Sequence, residues 1–274
     1  MAVLGRFKAG KSSFLNHFLG RDILPVGAVP ITTVITAIGY GLVARAVVHY
    51  VDGRFEQIGF SCVPLYVSES QNPENVKQVS QVSVQLPELE RFRGLRFMDT
   101  PGLESALVHN TKASLDWLPN VGLALVAVSV DPPLSNQDIT LLKALYEYTP
   151  NVSLLVTKID LLSEADRREV LGFITEQLSK HLGKTPSLFP YSIRPGHEWL
   201  KADLETKLFQ STLADFRRQR EGVLARKTDT LLRECEAFLG LALQAANVHV
   251  SEREALRTQV IGERQIVDEV KSEL

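Results

Sequence analysis

MAVLGRFKAGKSSFLNHFLG, residues 1–20, sets an apolar run against a glycine-spaced loop and then an apolar helix. Gly5 to Ser12 read G-R-F-K-A-G-K-S, the spacing G-x4-G-K-[ST] of a phosphate-binding loop. In such a loop the backbone N–H groups face phosphate and the lysine, here Lys11, reaches the β- and γ-phosphates. The hydroxyl that follows, here Ser12, holds Mg²⁺. Glycine lets the backbone come close to phosphate, and a helix start adds unpaired N–H groups and a favourable dipole. Ser13 opens that helix as S-F-L-N-H-F-L. The reading sets Gly5, Arg6, Phe7, Lys8, Ala9, Gly10, Lys11, Ser12 and Ser13 around a nucleotide. Met1 to Leu4 is short for a strand, which usually has about five or six residues. The expectation is therefore a chain that starts inside the first strand of a longer protein.

The bulk numbers are those of an ordinary soluble globular protein: 45% hydrophobic and 23% charged over 274 residues. A net charge of −2 predicts no nucleic-acid partner. Cys62 and Cys235 stand far apart, without the spacing of a disulfide framework or a zinc site. The longest apolar run, Val121 to Val130, is about half of what a membrane-crossing helix needs and reads as a buried central strand. With no basic leader before the phosphate loop, a cytoplasmic location is expected.

Strand character recurs at Ala44–Val51, Val79–Leu86, Leu95–Met98, Val121–Val130 and Val152–Thr157, with helical stretches at Gln137–Tyr148 and Ser163–Leu182. Alternation of this kind predicts an α/β fold with a mostly parallel central sheet flanked by helices, ligands sitting at the carboxyl ends of the strands. From about Glu198 strand signals stop. Leu224, Thr228, Leu231, Cys235, Phe238, Ala242 and Ala245 then mark one face of a helix, and Ser251–Leu274 carries a second amphipathic pattern. The expected organisation is a nucleotide domain over residues 1–197 and a partial helical bundle over 198–274.

Downstream motifs identify the nucleotide. R-F-M-D-T-P-G, residues 96–102, ends an apolar strand with Asp99, which can hold Mg²⁺ through water. The N–H of Gly102, three residues on, can sense the γ-phosphate. L-L-V-T-K-I-D, residues 154–160, resembles the guanine-reading motif [NT]-K-x-D of GTPases. The Asp160 carboxylate can accept from N1–H and the exocyclic amine of guanine, while adenine offers neither donor there. Thr157 and Lys158 frame that contact. A switch threonine that completes the metal shell falls in L-P-V-G-A-V-P-I-T-T-V-I-T, residues 24–36, where Thr32, Thr33 and Thr36 all compete.

Taken together, GRFKAGKSSFLN, LPVGAVPITTVIT, NPENVKQVSQVSVQLP, FMDTPGLES, VDPPLSNQD and LLVTKIDLL resemble the dynamin superfamily, particularly its bacterial dynamin-like members and the mitofusins. The resemblance covers about residues 1–195, and the helical remainder matches in kind. It implies a GTPase using GTP/GDP and Mg²⁺, with Ser12, Thr32 and Asp99 at the metal and a base loop near Tyr191-Ser192-Ile193. It gives the switch role to Thr32 through Pro30-x-Thr32. It also implies a homodimer through the GTPase domains and peripheral association with the inner face of a membrane through regions beyond this chain. Phe7 and Lys8 stand where eukaryotic dynamins carry Gln and Ser, and Leu103 where Ras-like GTPases carry a water-orienting Gln. The catalytic set is then Lys11, Thr32 and Lys8, with the Lys8 ammonium replacing a compensating cation. The alternatives are a soluble regulatory GTPase of the Era-like kind acting through a protein or ribosomal partner, and a module that keeps nucleotide for stability without turnover.

Overall fold

The computed structural model describes residues 1–27, 32–100, 121–214, 216–247 and 260–261. The chain divides into two compact units, Met1–Gln219 and Arg220–Leu274.

Among the described residues, the first unit is built on nine strands: β1 Ala2–Leu4, β2 Thr36–Tyr40, β3 Arg45–Tyr50, β4 Phe55–Ile58, β5 Val79–Leu86, β6 Arg96–Asp99, β7 Ala124–Ser129, β8 Val152–Thr157 and β9 Ser187–Pro190. They form one sheet in the order β4-β3-β5-β2-β6-β1-β7-β8-β9. Strands β6, β1, β7, β8 and β9 run parallel, whereas β2 is antiparallel to β6. That topology carries the functional argument. The carboxyl ends of the five parallel strands lie along one edge of the sheet, and the amino end of β2 arrives at that same edge.

Among the described residues, the longer helices of this unit are α1 Lys11–Leu19, α2 Asn136–Tyr148, α3 Glu164–Leu182 and α4 Glu198–Leu204, the last continuing through a π-helical turn at Glu205–Gln210. Local chemistry sets their ends. α1 stops at Gly20 in the left-handed conformation. α2 starts from a capping box in which Ser135 accepts from the Asp138 N–H and Asp138 accepts from the Ser135 N–H. α3 begins after Ser163, which accepts from Asp166 N, and ends at left-handed Gly183.

Side-chain alternation along β1 divides the core between the two faces. Val3 joins Phe14, Phe18, Ile38, Phe97, Leu125 and Phe209 on one face, whereas Ala2 and Leu4 join Val126, Val128, Leu142, Leu145 and Ile174 on the other. Leu200, Leu204, Leu208 and Phe209 are all buried in these clusters. Residues 198–219 therefore belong to the first unit, and the observed division falls 22 residues beyond the boundary expected from sequence. Loss of strand signal at Glu198 marks a change of element, while the apolar side chains that follow still belong to the α/β core.

The described part of the second unit is helical. α5 spans Phe216–Asn247; of the residues expected on one face, Leu231, Cys235, Phe238 and Ala242 are partly buried, whereas Leu224 and Thr228 are exposed. Leu224, Leu232, Leu239 and Leu243 are exposed by half or more. The amphipathic pattern expected over Ser251–Leu274 lies outside the described residues apart from residues 260–261, which are helical. No helix among the described residues is long and apolar enough to cross a membrane.

Candidate nucleotide site

The loop between β1 and α1 is held from three sides. Gly5 has φ +133°, and a Cβ there would sit 2.3 Å from Ala127 O on neighbouring β7, so the position admits no side chain. Gly10 at the helix entrance has φ +85°. Thr157 Oγ1, at the end of β8, donates to Ala9 O at 2.8 Å. Arg6 turns away from the loop's mouth: its Nε donates to Asp138 Oδ1 at 3.0 Å and its terminal nitrogen to Pro132 O at 3.2 Å. Asp138 is fully buried at the head of α2. Thr157 and Arg6 thus brace the loop's backbone instead of facing its cavity.

Lys11 Nζ curls over the loop and donates to Gly5 O and Arg6 O, both at 2.9 Å. Phe7 and Lys8 sit at the rim, with Lys8 exposed, in the left-handed region at φ +62°, and its Nζ 5.4 Å from the Phe7 ring centroid.

Next to this loop, Asp99 ends β6 with its carboxylate buried. Ser12 Oγ donates to Asp99 Oδ2 at 3.0 Å, and Thr32 Oγ1 to the same oxygen at 3.5 Å. Asp99 Oδ1 is buried with no hydrogen-bond partner. Burial pushes this carboxyl up to about 6, against the opposing influence of the Lys11 ammonium and the two hydroxyls. Three hard oxygen donors, Ser12 Oγ, Thr32 Oγ1 and Asp99 Oδ2, gathered at one point suit Mg²⁺.

The three competing threonines go to different places. Thr32 reaches Asp99. Thr33 is tied by both its N–H (2.8 Å) and its hydroxyl (3.3 Å) to Val67 O, beside an antiparallel bridge between Thr32 and Ser68. Thr36 is fully buried at the start of β2, with its hydroxyl unpartnered. Gly102 and Leu103 lie outside the described residues.

Farther along the same edge, Lys158 adopts φ +59° and turns the chain after β8, so that Asp160 faces the segment following β9. Ser192 Oγ donates to Asp160 Oδ1 at 2.6 Å, and Arg194 N donates to Ser192 Oγ at 3.0 Å. Next to it, Tyr191 OH meets His17 Nδ1 at 2.8 Å, joining the base-side segment to α1. Burial pushes the Tyr191 phenol above its usual range. The His17 imidazole is lowered, first by burial and then by the Lys201 ammonium.

The structure brings Lys11, Ser12, Thr32 and Asp99 to one end of this edge and Lys158, Asp160 and Ser192 along it. Sequence reading quoted the stretch that holds Ser135 and Asp138 but gave neither a role, and it passed over the Val67–Ser68 segment. Ser135-x-x-Asp138 carries a readable helix-start signal, but nothing local announces a partner 132 residues away.

The family model described as "Dynamin family" matches residues 1–160. An uncharacterised protein from the xynA 3′ region of Caldicellulosiruptor sp. is 29% identical over 252 residues, 87% of this chain and 63% of that one. Dynamin-like protein 2 of Campylobacter jejuni is 27% identical over 237 residues, 86% of this chain and 38% of its own length. The chain thus spans less than two thirds of either relative. A solved structure of an oligomerised bacterial dynamin pair superposes with a TM-score of 0.58 at 16% identity, covering 99% of this chain and 47% of that one, and it shares the fold. By the family match and the architecture of residues 1–219, the chain belongs to the dynamin family of GTPases.

Proposed function

We propose that the chain binds guanine nucleotide with Mg²⁺ and hydrolyses GTP, and that the cycle drives pairing of two such domains and movement of the helical segment at a membrane. The observation that carries the chemistry is the convergence of Ser12 and Thr32 on Oδ2 of buried Asp99.

The α1 amino end and the loop N–H groups cradle the β- and γ-phosphates. Lys11 exchanges its two loop carbonyls for phosphate oxygens. Ser12, Thr32 and Asp99 would hold Mg²⁺, which when bound neutralises charge across the β- and γ-phosphates. Thr32 reports the γ-phosphate from a segment that is tied to Ser68 only by an isolated bridge. Asp160, oriented by Ser192, selects guanine. Lys8, exposed at the rim, supplies positive charge to the transition state. Domain pairing and action at a membrane are supported by the family and by the description of the structural neighbour as an oligomerised pair that tethers membranes.

Phosphate release measured over a range of protein concentrations, with Lys11→Ala as control, tests the reading. Specific activity should climb with concentration and vanish in the variant. Release no greater than that of Lys11→Ala rejects hydrolysis, and fast release independent of concentration rejects pairing. Co-sedimentation of the full-length protein with liposomes tests the membrane role: failure to sediment with vesicles in either nucleotide state rejects it and favours the soluble switch.

A further inference from the structure

Among the described residues of this unit, two buried side-chain oxygens have no hydrogen-bond partner, and they belong to residues that stand opposite one another. Thr36 and Asp99 are direct register partners on antiparallel β2 and β6. Residues directly opposite in such a pair project to the same face of the sheet, with Cβ atoms about 5 Å apart. Thr36 Oγ1 and Asp99 Oδ1 are both buried and both unpartnered. A buried hydroxyl left unpaired is costly, so a native structure that keeps one at this position normally satisfies it, often with ordered water. Two unpartnered oxygens on facing residues give a bridging water the minimum number of polar partners it needs.

We propose that Thr36 is a positioning residue for Asp99, its hydroxyl holding Oδ1 through one ordered water so that Oδ2 stays turned towards Ser12 and Thr32. A free carboxylate could rotate about its Cβ–Cγ bond and present either oxygen. With Oδ2 bound by Ser12 and Thr32 and Oδ1 held from β2, it has one orientation. The amino end of β2 lies just after the Thr32 segment, so the segment that carries the switch threonine leads directly into the strand that fixes the carboxylate that threonine meets. Thr36 therefore acts through Asp99 and does not itself touch nucleotide. The inference rests on the proposed role of Asp99 at the metal.

Three variants separate the hydroxyl from the shape of the side chain. Thr36→Val keeps the shape and removes the hydroxyl. Thr36→Ser and Thr36→Ala both lose the methyl group and differ only in the hydroxyl, so that pair carries the test if Thr36→Val does not fold. One readout needs no ligand: the melting temperature of the nucleotide-free chain. If the hydroxyl holds Asp99, Thr36→Val melts about 3–6 °C lower than the parent, and Thr36→Ala lower than Thr36→Ser. If the hydroxyl is truly unpaired, Thr36→Val melts higher and Ala equals or exceeds Ser, which overturns the proposal. The second readout is the affinity for a fluorescent GDP analogue with Mg²⁺ and with chelator. The parent should bind more tightly with Mg²⁺; Thr36→Val and Thr36→Ala should lose about tenfold of that gain, while Thr36→Ser keeps it. An unchanged Mg²⁺ gain in all three variants overturns the proposal. A parent that binds no guanine nucleotide, or binds it without Mg²⁺ dependence, fails the proposed function instead, and the melting series still judges the hydrogen bond.

Discussion

Arg6→Ala should destabilise the first unit far more than a change at a loop residue ordinarily does. The Arg6 side chain is 18% exposed, and its guanidinium faces a carboxylate that is fully buried. Asp138 Oδ2 accepts from the Ser135 N–H and hydroxyl at 2.7 and 2.8 Å, so its other oxygen depends on Arg6. Removing one partner of a buried pair costs about 3–5 kcal/mol. Here the space Arg6 vacates opens to solvent and water can reach Oδ1, which lowers the expected cost to about 2–3 kcal/mol. For a unit of this size, that is a fall of about 5–10 °C in melting temperature. Asp138→Ala should cost about the same, with a further ~1 kcal/mol for the lost helix cap. The double variant supplies the decisive number. Once Asp138 is gone, Arg6 has little left to stabilise, so the thermal-melting cycle should return a coupling of about 2 kcal/mol. Additivity within about 0.5 kcal/mol would refute the claim that this pair anchors the phosphate loop to α2.

The two glycines of the loop should behave differently. Gly5→Ala places Cβ 2.3 Å from a strand carbonyl and should cost more than about 4 kcal/mol, read as loss of the folded protein. Gly10→Ala, whose nearest neighbour would be Thr157 Oγ1 at 3.6 Å, should pay only the left-handed cost of about 1–2 kcal/mol, so equal losses would contradict the geometry. Asp99 makes stability pH-dependent in an unusual direction, because burial raises its carboxyl from 3.8 to about 6. Between those values the folded nucleotide-free protein binds more protons than the unfolded chain, so this contribution is fully present below about pH 4 and is lost as pH rises through 6. The loss is about 3 kcal/mol, and subtracting the Asp99→Asn melting profile from the parent profile isolates it; a difference that rises with pH would refute it. Lys8→Ala should lower GTP turnover about tenfold or more while leaving GDP affinity nearly unchanged, as measured by phosphate release and fluorescent-nucleotide titration.

How much of this was readable from sequence depends on where the information lies. Val152–Thr157 is continuous and apolar because β8 is buried between β7 and β9, and its predicted limits coincide with the observed strand. β4, Phe55–Ile58, gave no such signal: an edge strand with its outer face in water has no need of an apolar pattern. β9 contains Pro190, which a strand tolerates at the sheet edge. The phosphate loop and the Asp99 motif were legible because each is a contiguous string whose backbone geometry dictates residue type. The separation of Thr32, Thr33 and Thr36 was not, since it depends on the Val67–Ser68 segment and on β2 running antiparallel to β6. The Arg6 partner was hidden for the same reason: a buried ion pair between distant residues leaves no periodicity.

The central claim is a guanine-selective nucleotide site, and calorimetric titration of the parent with GDP and with ADP in Mg²⁺ tests it most directly. Asp160, partly buried and held by Ser192 at 2.6 Å, offers a carboxylate acceptor pair that adenine cannot satisfy. Sites built to hydrogen-bond one substrate reject the analogue lacking those donors by about 10⁴-fold. The account predicts a preference for GDP of that order, collapsing in Asp160→Ala. Affinities for GDP and ADP within about tenfold of each other would contradict it.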